Sequence, residues 1–177
     1  RMQLAAPEVT DLGRETESTH RLYGLDRADK RQAKFSRMCL LGRRLIERGV
    51  RFVTLYCGGS TSTLNSWDGH RGLAKNHRHM APICDQPVSA LLTDLESRGL
   101  LDDTLVVWTT EFGRTPTSEG ESDGRDHNIA GFTIWMAGGG MRPGASYGAT
   151  DELGFKAVDN PVRIADLHAT VLHALGI

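Results

Sequence analysis

The sequence predicts a layered α/β fold, a mainly parallel sheet with helices on both of its faces. Three observations carry that expectation. Apolar runs rich in β-branched residues (VRFVTLYC at 50–57, TLVVWTT at 104–110, FTIWMA at 132–137) alternate with segments whose apolar residues recur at helical spacing. The run at 104–110 has a nearly uninterrupted apolar core, which suits a strand buried on both faces. Each run ends at glycine or at charge, where open α/β sheets gather their chemistry.

Taken in order, residues 1–32 are polar and rich in alternating charge, from Arg14 and Glu15 through Asp29, Lys30 and Arg31. They read as an irregular arm or a solvated helix face, ahead of one domain over 33–177. From Ala33 to Gly49, the residues Phe35, Met38, Cys39, Leu41, Leu45 and Ile46 repeat at helical spacing, and Gly49 suits a C-terminal stop. The strand at 50–57 is closed by Gly58 and Gly59, and a polar loop over 60–80 follows. Cys84, Val88, Leu91, Leu92 and Leu95 mark an amphipathic helix ending near Gly99. The strands at 104–110 and 132–137 come next, the second closed by Gly138, Gly139 and Gly140. Asp166 is placed as the N-cap of a last helix carrying Leu167, Val171, Leu172 and Leu175 on one face. Ten of the 20 glycines lie between 113 and 154, so the connections there read as turns.

The chain has 177 residues, one domain's worth, with 39% hydrophobic and 24% charged residues. A net charge of −1 leaves no basic footprint for nucleic acid. No apolar run approaches the roughly 20 residues of a membrane-spanning helix. The 3 cysteines, Cys39, Cys57 and Cys84, show no CxxC pattern and read as buried free thiols, with one disulfide left open. The chain starts without an initiator methionine, and both ends read as cut from a longer protein.

The densest chemistry is in WTTEFGRTP, 108–116, followed by Gly124-Arg125-Asp126-His127. An apolar strand there runs into a carboxylate, Glu111, and a guanidinium, Arg114. The two either line a site or form an ion pair capping the strand. Upstream, WDGH places Asp68 and His70 two residues apart, so both face one side of an extended segment and suit one cation. In the pair Asp126-His127, His127 is read as the ligand and Asp126 as the group that orients it. His77 and His79 have the same i, i+2 spacing, and read either as a rival metal pair or as part of an exposed polar turn. His168 and His173 sit on different flanks of the last helix. The triple glycine reads either as an anion-binding nest or as a simple turn.

Together, TLVVWTTEFGRTP, GRDHN, FTIWMAGGGMRPG, YGATDELG, DLHATVLHALGI and the upstream WDGH resemble one family. It is the C-terminal half of the bacterial proteins grouped as domain of unknown function 1501. That family is placed among the sulfatase-like members of the alkaline phosphatase superfamily. The resemblance covers roughly residues 20 to 177. It implies an alkaline phosphatase-like sheet whose N-terminal part is missing here, and with it the nucleophile. It also implies export, hence an extracytoplasmic protein, and a small phosphorylated or sulfated ester as substrate. By order along the chain it assigns Asp68, His70, Glu111 and His127 to a divalent metal (zinc, manganese or calcium). Arg114 is left as the catalytic group that holds the ester's charge. Two positions depart from the pattern. Phe112 stands where a metal-binding histidine is expected after Glu111, and Gly69 replaces the threonine of W-D-T-H.

Two functions follow. One is a fragment of a metal-dependent hydrolase of phosphate or sulfate esters. The other is a non-catalytic extracytoplasmic binding or scaffold protein with a degenerate site of that type.

Overall fold

A computed structural model describes residues 7–58 and 66–177, leaving residues 1–6 of the polar arm, Gly59 and loop residues 60–65 outside. The chain divides into two compact units, one of residues 1–68 and 74–100, the other of 69–73 and 101–177.

The first unit is helical. A short 3-10 turn, Leu12–Arg14, leads into α1, Glu17–Tyr23, and then α2, Lys30–Glu47. Thr16 caps α1 by accepting the Thr19 N–H, and Asp29 caps α2 by accepting those of Arg31 and Gln32. α3 runs from Leu73 to Ser97, well upstream of the start at Cys84 that the apolar pattern suggests. Its buried residues, Asn76, Met80, Ile83, Cys84, Pro87, Ala90, Asp94 and Leu95, keep helical spacing throughout. That continuous buried face holds the helix through Pro82 and Pro87, each of which removes a ladder N–H.

Residues 50–57, expected as a strand, form none and join no ladder among the described residues. Val53 and Leu55 instead face Gly42 of α2, where an added Cβ would meet Leu55 at 3.4 Å and Val53 at 3.7 Å. The helix glycine admits the segment, and Phe52 and Tyr56 point to solvent.

Charge binds the helices of this unit together. Arg43, 1% exposed, meets Asp94 at 2.8 Å, Glu47 at 2.6 Å and Glu15 at 2.8 Å. Asp94 also accepts the Tyr23 hydroxyl at 3.0 Å and Arg98 Nε at 2.7 Å. Arg44 pairs with Glu15 and donates to the Val9 carbonyl at 2.7 Å. Burial pulls the Arg43 guanidinium down, but the carboxylates outweigh it and hold it above its ordinary range. Burial likewise pushes Glu15 up, and Arg43 and Arg44 outweigh that, leaving it lowered.

The second unit overturns the expected architecture. Its described strands form three separate antiparallel pairs and no layered parallel sheet. β1, Val106–Trp108, pairs with β4, Trp135–Ala137, with Trp108 opposite Trp135 and their rings stacked at 6.0 Å. β2, Gly113–Arg114, pairs with β3, His127–Asn128. β5, Ala149–Thr150, pairs with β6, Ala157–Asp159. The physical reason lies in the connections. Parallel neighbours need a crossover, usually a helix, and between β1 and β4 there are only turns and the short β2–β3 ladder. β1 is half-buried along its length, so its apolar run does not mark a strand covered on both faces.

The final helix, α4, spans Ile164–Ala174. Asp166 lies inside its first turn, not at the cap: its carboxylate accepts the Arg163 N–H at 2.8 Å. Gly138, Gly139 and Gly140 all take left-handed φ (71°, 53° and 76°). The Gly139 N–H donates to the Leu101 carbonyl at 2.9 Å and Met141 N–H to Gly138 at 2.9 Å, so the triplet is a turn against 101–105.

Candidate metal centre

The β2–β3 ladder builds the centre. Its register sets Arg114 directly opposite His127, and the Thr115 N–H donates to the Asp126 carbonyl at 2.9 Å, continuing the pairing. Buried Asn128 anchors the far side, its Nδ2 donating to Phe155 O at 2.9 Å and its Oδ1 accepting the Ala130 N–H at 3.0 Å.

His70 arrives from the short segment 69–73, which lies against the loop between β2 and β3. Arg125 N–H donates to Gly69 O at 3.0 Å, Gly72 N–H to Asp123 Oδ1 at 2.6 Å, and Ser122 Oγ to His70 O at 2.7 Å. Gly124 makes this approach possible. A Cβ there would fall on the His70 carbonyl and lie 2.5 Å from Arg71 N. Backbone stands against backbone, so no side-chain rotation relieves the overlap.

The imidazoles of His70 and His127 face each other, Nε2 to Nε2 at 3.1 Å, with ring centroids 4.8 Å apart. The other nitrogen of His70, Nδ1, lies 2.6 Å from Glu119 Oε2. Glu119 thereby fixes the orientation of the ring. Ligand-type atoms of His70, Glu119 and Asp126 all lie within 4.8 Å of one another. Asp126 Oδ1 also accepts the His127 N–H at 2.7 Å. Arg114 Nη1 is 3.3 Å from His70 Nε2 and donates to the Arg125 carbonyl at 3.1 Å. Phe112 packs against His127 with centroids 4.2 Å apart, and the Arg114 guanidinium carbon lies 5.9 Å from the Phe112 ring centre. The residue that cannot ligate thus forms a wall for the one that can.

Of the residues singled out from the sequence, His70, His127, Asp126 and Arg114 come together in the second unit. Glu111 is exposed and is not among the metal-ligand-type side chains that group together in the described residues. Asp68, also exposed, directly precedes Gly69 of the segment that carries His70, and its N–H donates to Ser66 Oγ at 3.2 Å. His77 and His79 lie on α3, not in a turn. Helical i, i+2 positions point to different faces, and His77 packs edge-on against Trp67 at 5.4 Å. Sequence reasoning missed Glu119. The acidic run Glu119, Glu121, Asp123 between Arg114 and His127 was the available signal, but nothing in its spacing singles out one carboxylate.

Fold and site define an α+β protein: a helical unit, and a unit of antiparallel strand pairs carrying a histidine–carboxylate–arginine cluster. The chain belongs to the family described as "Protein of unknown function (DUF1501)", whose profile matches residues 1–177. No curated protein and no solved structure matches it.

Proposed function

We propose that the His70–His127 cluster is a divalent-cation centre, and that the chain contributes it to a metal-dependent hydrolase of phosphate or sulfate esters. The observation that carries the reading is the 3.1 Å separation of the two Nε2 atoms, with Glu119 on the far nitrogen of His70. Two imidazole nitrogens each about 2.0–2.1 Å from one zinc at a tetrahedral angle stand about 3.3 Å apart. The donors fit such an ion: His70 and His127 would hold it, with Asp126 within reach and Glu119 orienting His70. Two nitrogen donors favour zinc over manganese or calcium, which prefer oxygen. A bound cation supplies Lewis-acid polarisation of an ester oxygen. Arg114, across the ladder from His127, would pair with the ester's negative charge by charge-assisted hydrogen bonds. Membership in the sulfatase-like group, and export of the parent protein, belong to this proposal on the strength of the sequence motifs.

The second reading, a binding or scaffold protein without turnover, is favoured by a specific observation. The Ser122 hydroxyl beside His70 donates to His70 O and accepts the Gly124 N–H at 3.1 Å, so it is committed to the loop and not to attack. Covalent catalysis therefore needs a nucleophile other than Ser122.

Calorimetric titration with zinc tests the centre. One site is expected, weakened at least about tenfold by His127→Ala and about 10–100-fold by Glu119→Gln, and unaffected by His77→Ala or His79→Ala. Binding indifferent to His127, or lost with His77, would sink the reading. With zinc bound, Arg114→Met should lower affinity for inorganic phosphate or sulfate and leave zinc affinity unchanged. The 177-residue chain should not turn over an aryl phosphate or aryl sulfate. Turnover abolished by His127→Ala would show that the chain needs no outside nucleophile.

A further inference from the structure

The stretch YGATDELG, residues 147–154, carries a carboxylate that the metal centre leaves unused. Asp151 opens the connection between β5 and β6. Its Oδ1 accepts the Phe155 N–H at 2.8 Å, its carbonyl accepts the Gly154 N–H at 3.0 Å, and its own N–H donates to the Lys156 carbonyl at 2.9 Å. One residue thus closes the connection through both its side chain and its backbone. The N–H groups converging on its carboxyl, that of Phe155 foremost, hold it below the usual carboxylate range.

A turn closed in this way fixes the direction of its carbonyls, and two of them meet β3. Asn128 Nδ2 donates to Phe155 O at 2.9 Å and to Gly154 O at 3.4 Å. Asn128 is 7% exposed, so losing those acceptors would leave a buried donor unsatisfied. The backbone makes the same approach. Ala157 N–H donates to Ala130 O at 2.8 Å, and a Cβ at Gly131 would stand 3.1 Å from Ala157 N. β3 has only 2 residues, His127 and Asn128, and a ladder that short is marginal by itself. The orientation of His127 therefore depends on what holds its neighbour.

We propose that Asp151 is a positioning residue for the metal centre: through the turn 151–156 and the Asn128 amide it sets the place of His127. This rests on the reading of His127 as a ligand. Asp151 lies outside the groups of ligand-type side chains found among the described residues, so its effect reaches the centre through Asn128.

The test is a double-substitution cycle on the full chain, read with and without metal. Without metal, NMR cross-peaks between the His127 and Phe112 rings, whose centroids are 4.2 Å apart, report where β3 sits. So does exchange of the Ala130 amide, which donates to Asn128 Oδ1 at 3.0 Å. With metal, zinc calorimetry reports the centre. Asp151→Ala should speed exchange at Ala130, weaken the ring cross-peaks and lower zinc affinity about 10–100-fold, the usual cost of losing a group that orients a ligand. Asp151→Asn keeps an acceptor oxygen and should restore most of each. Asp151→Ala combined with Asn128→Ala should lose no more zinc affinity than Asn128→Ala alone, because the two act in one chain of contacts. Glu152→Ala, at the exposed neighbour, should change nothing. Unchanged cross-peaks and Ala130 exchange in Asp151→Ala would overturn the proposal, whether or not zinc binds. Additive losses would overturn it as well, since Asp151 would then act on general stability and not through Asn128. If the parent binds no zinc, the metal centre fails, and the metal-free readings still decide whether Asp151 places His127. If Asn128→Ala does not fold, the contrast of alanine with asparagine at Asp151 decides it.

Discussion

Gly124→Ala isolates the contact on which the metal centre rests. The backbone at Gly124 is not in the left-handed region, so alanine brings no conformational strain, and the whole effect is the overlap of its Cβ with the His70 carbonyl. Relieving that overlap means moving segment 69–73 away from the loop. Three hydrogen bonds hold the two together: Arg125 N–H to Gly69 O at 3.0 Å, Ser122 Oγ to His70 O at 2.7 Å, and Gly72 N–H to the Asp123 carboxylate at 2.6 Å. At about 1 kcal/mol for each neutral bond and about 1.5 for the charged one, their loss is worth about 3.5 kcal/mol. At 1.4 kcal/mol per tenfold, that is on the order of 300-fold. Amide hydrogen exchange followed by NMR reads it without any metal. The Arg125 and Gly72 amides should exchange on the order of 300-fold faster in the variant, while amides in the middle of α2 stay unchanged. Zinc affinity, if His70 is a ligand, should fall with them. Unchanged exchange at Arg125 and Gly72 would refute the reasoning, because it would mean that the loop tolerates a Cβ without parting from His70.

Two further outcomes concern the first unit. Arg43→Met removes the guanidinium shared by Glu15, Glu47 and Asp94. Breaking a buried pair costs about 3–5 kcal/mol. Because Arg44 and Arg98 still serve Glu15 and Asp94, the lower end, about 3 kcal/mol, is expected, seen as a lower urea midpoint by circular dichroism; a loss under about 1 kcal/mol would contradict it. Glu15 is depressed in the folded state, so its stabilisation is present above the ordinary carboxylate range and is lost as pH falls through the folded value. Glu15→Gln should therefore flatten the acid side of the stability profile, and an unchanged acid limb would exclude this role.

How much of this was legible in the sequence depends on what kind of information each element needs. α2 and α4 follow from the spacing of their own apolar residues, and both appear within a few positions of where that spacing puts them. α3 begins well upstream of Cys84 because the polar stretch around His77 and His79 is helical too, although its charged residues suggest an exposed turn. Its buried stripe overrides them only once a partner surface exists. The strands at 104–110 and 132–137 were found, but their direction was not. Strand composition does not encode parallel against antiparallel; the connection does, and here it is turns and a two-residue ladder. In the site, Arg114, Asp126 and His127 were legible because they flank one hairpin. Glu119 was not, since its role depends on a contact with His70, 49 positions away.

The charge network of the first unit also bears on the time course of folding. The Tyr23–Asp94 and Arg43–Asp94 bonds join residues 71 and 51 positions apart. Closing loops of that length costs entropy before either bond returns anything. Such contacts are expected to form late and to be largely absent from the transition state. The network would then add little to the rate at which the helices come together and act mainly on the rate at which they part. On that expectation the buried arginine acts as a brake on unfolding, and substitutions at Asp94 or its three donors should shorten the lifetime of the folded helical unit more than they slow its formation.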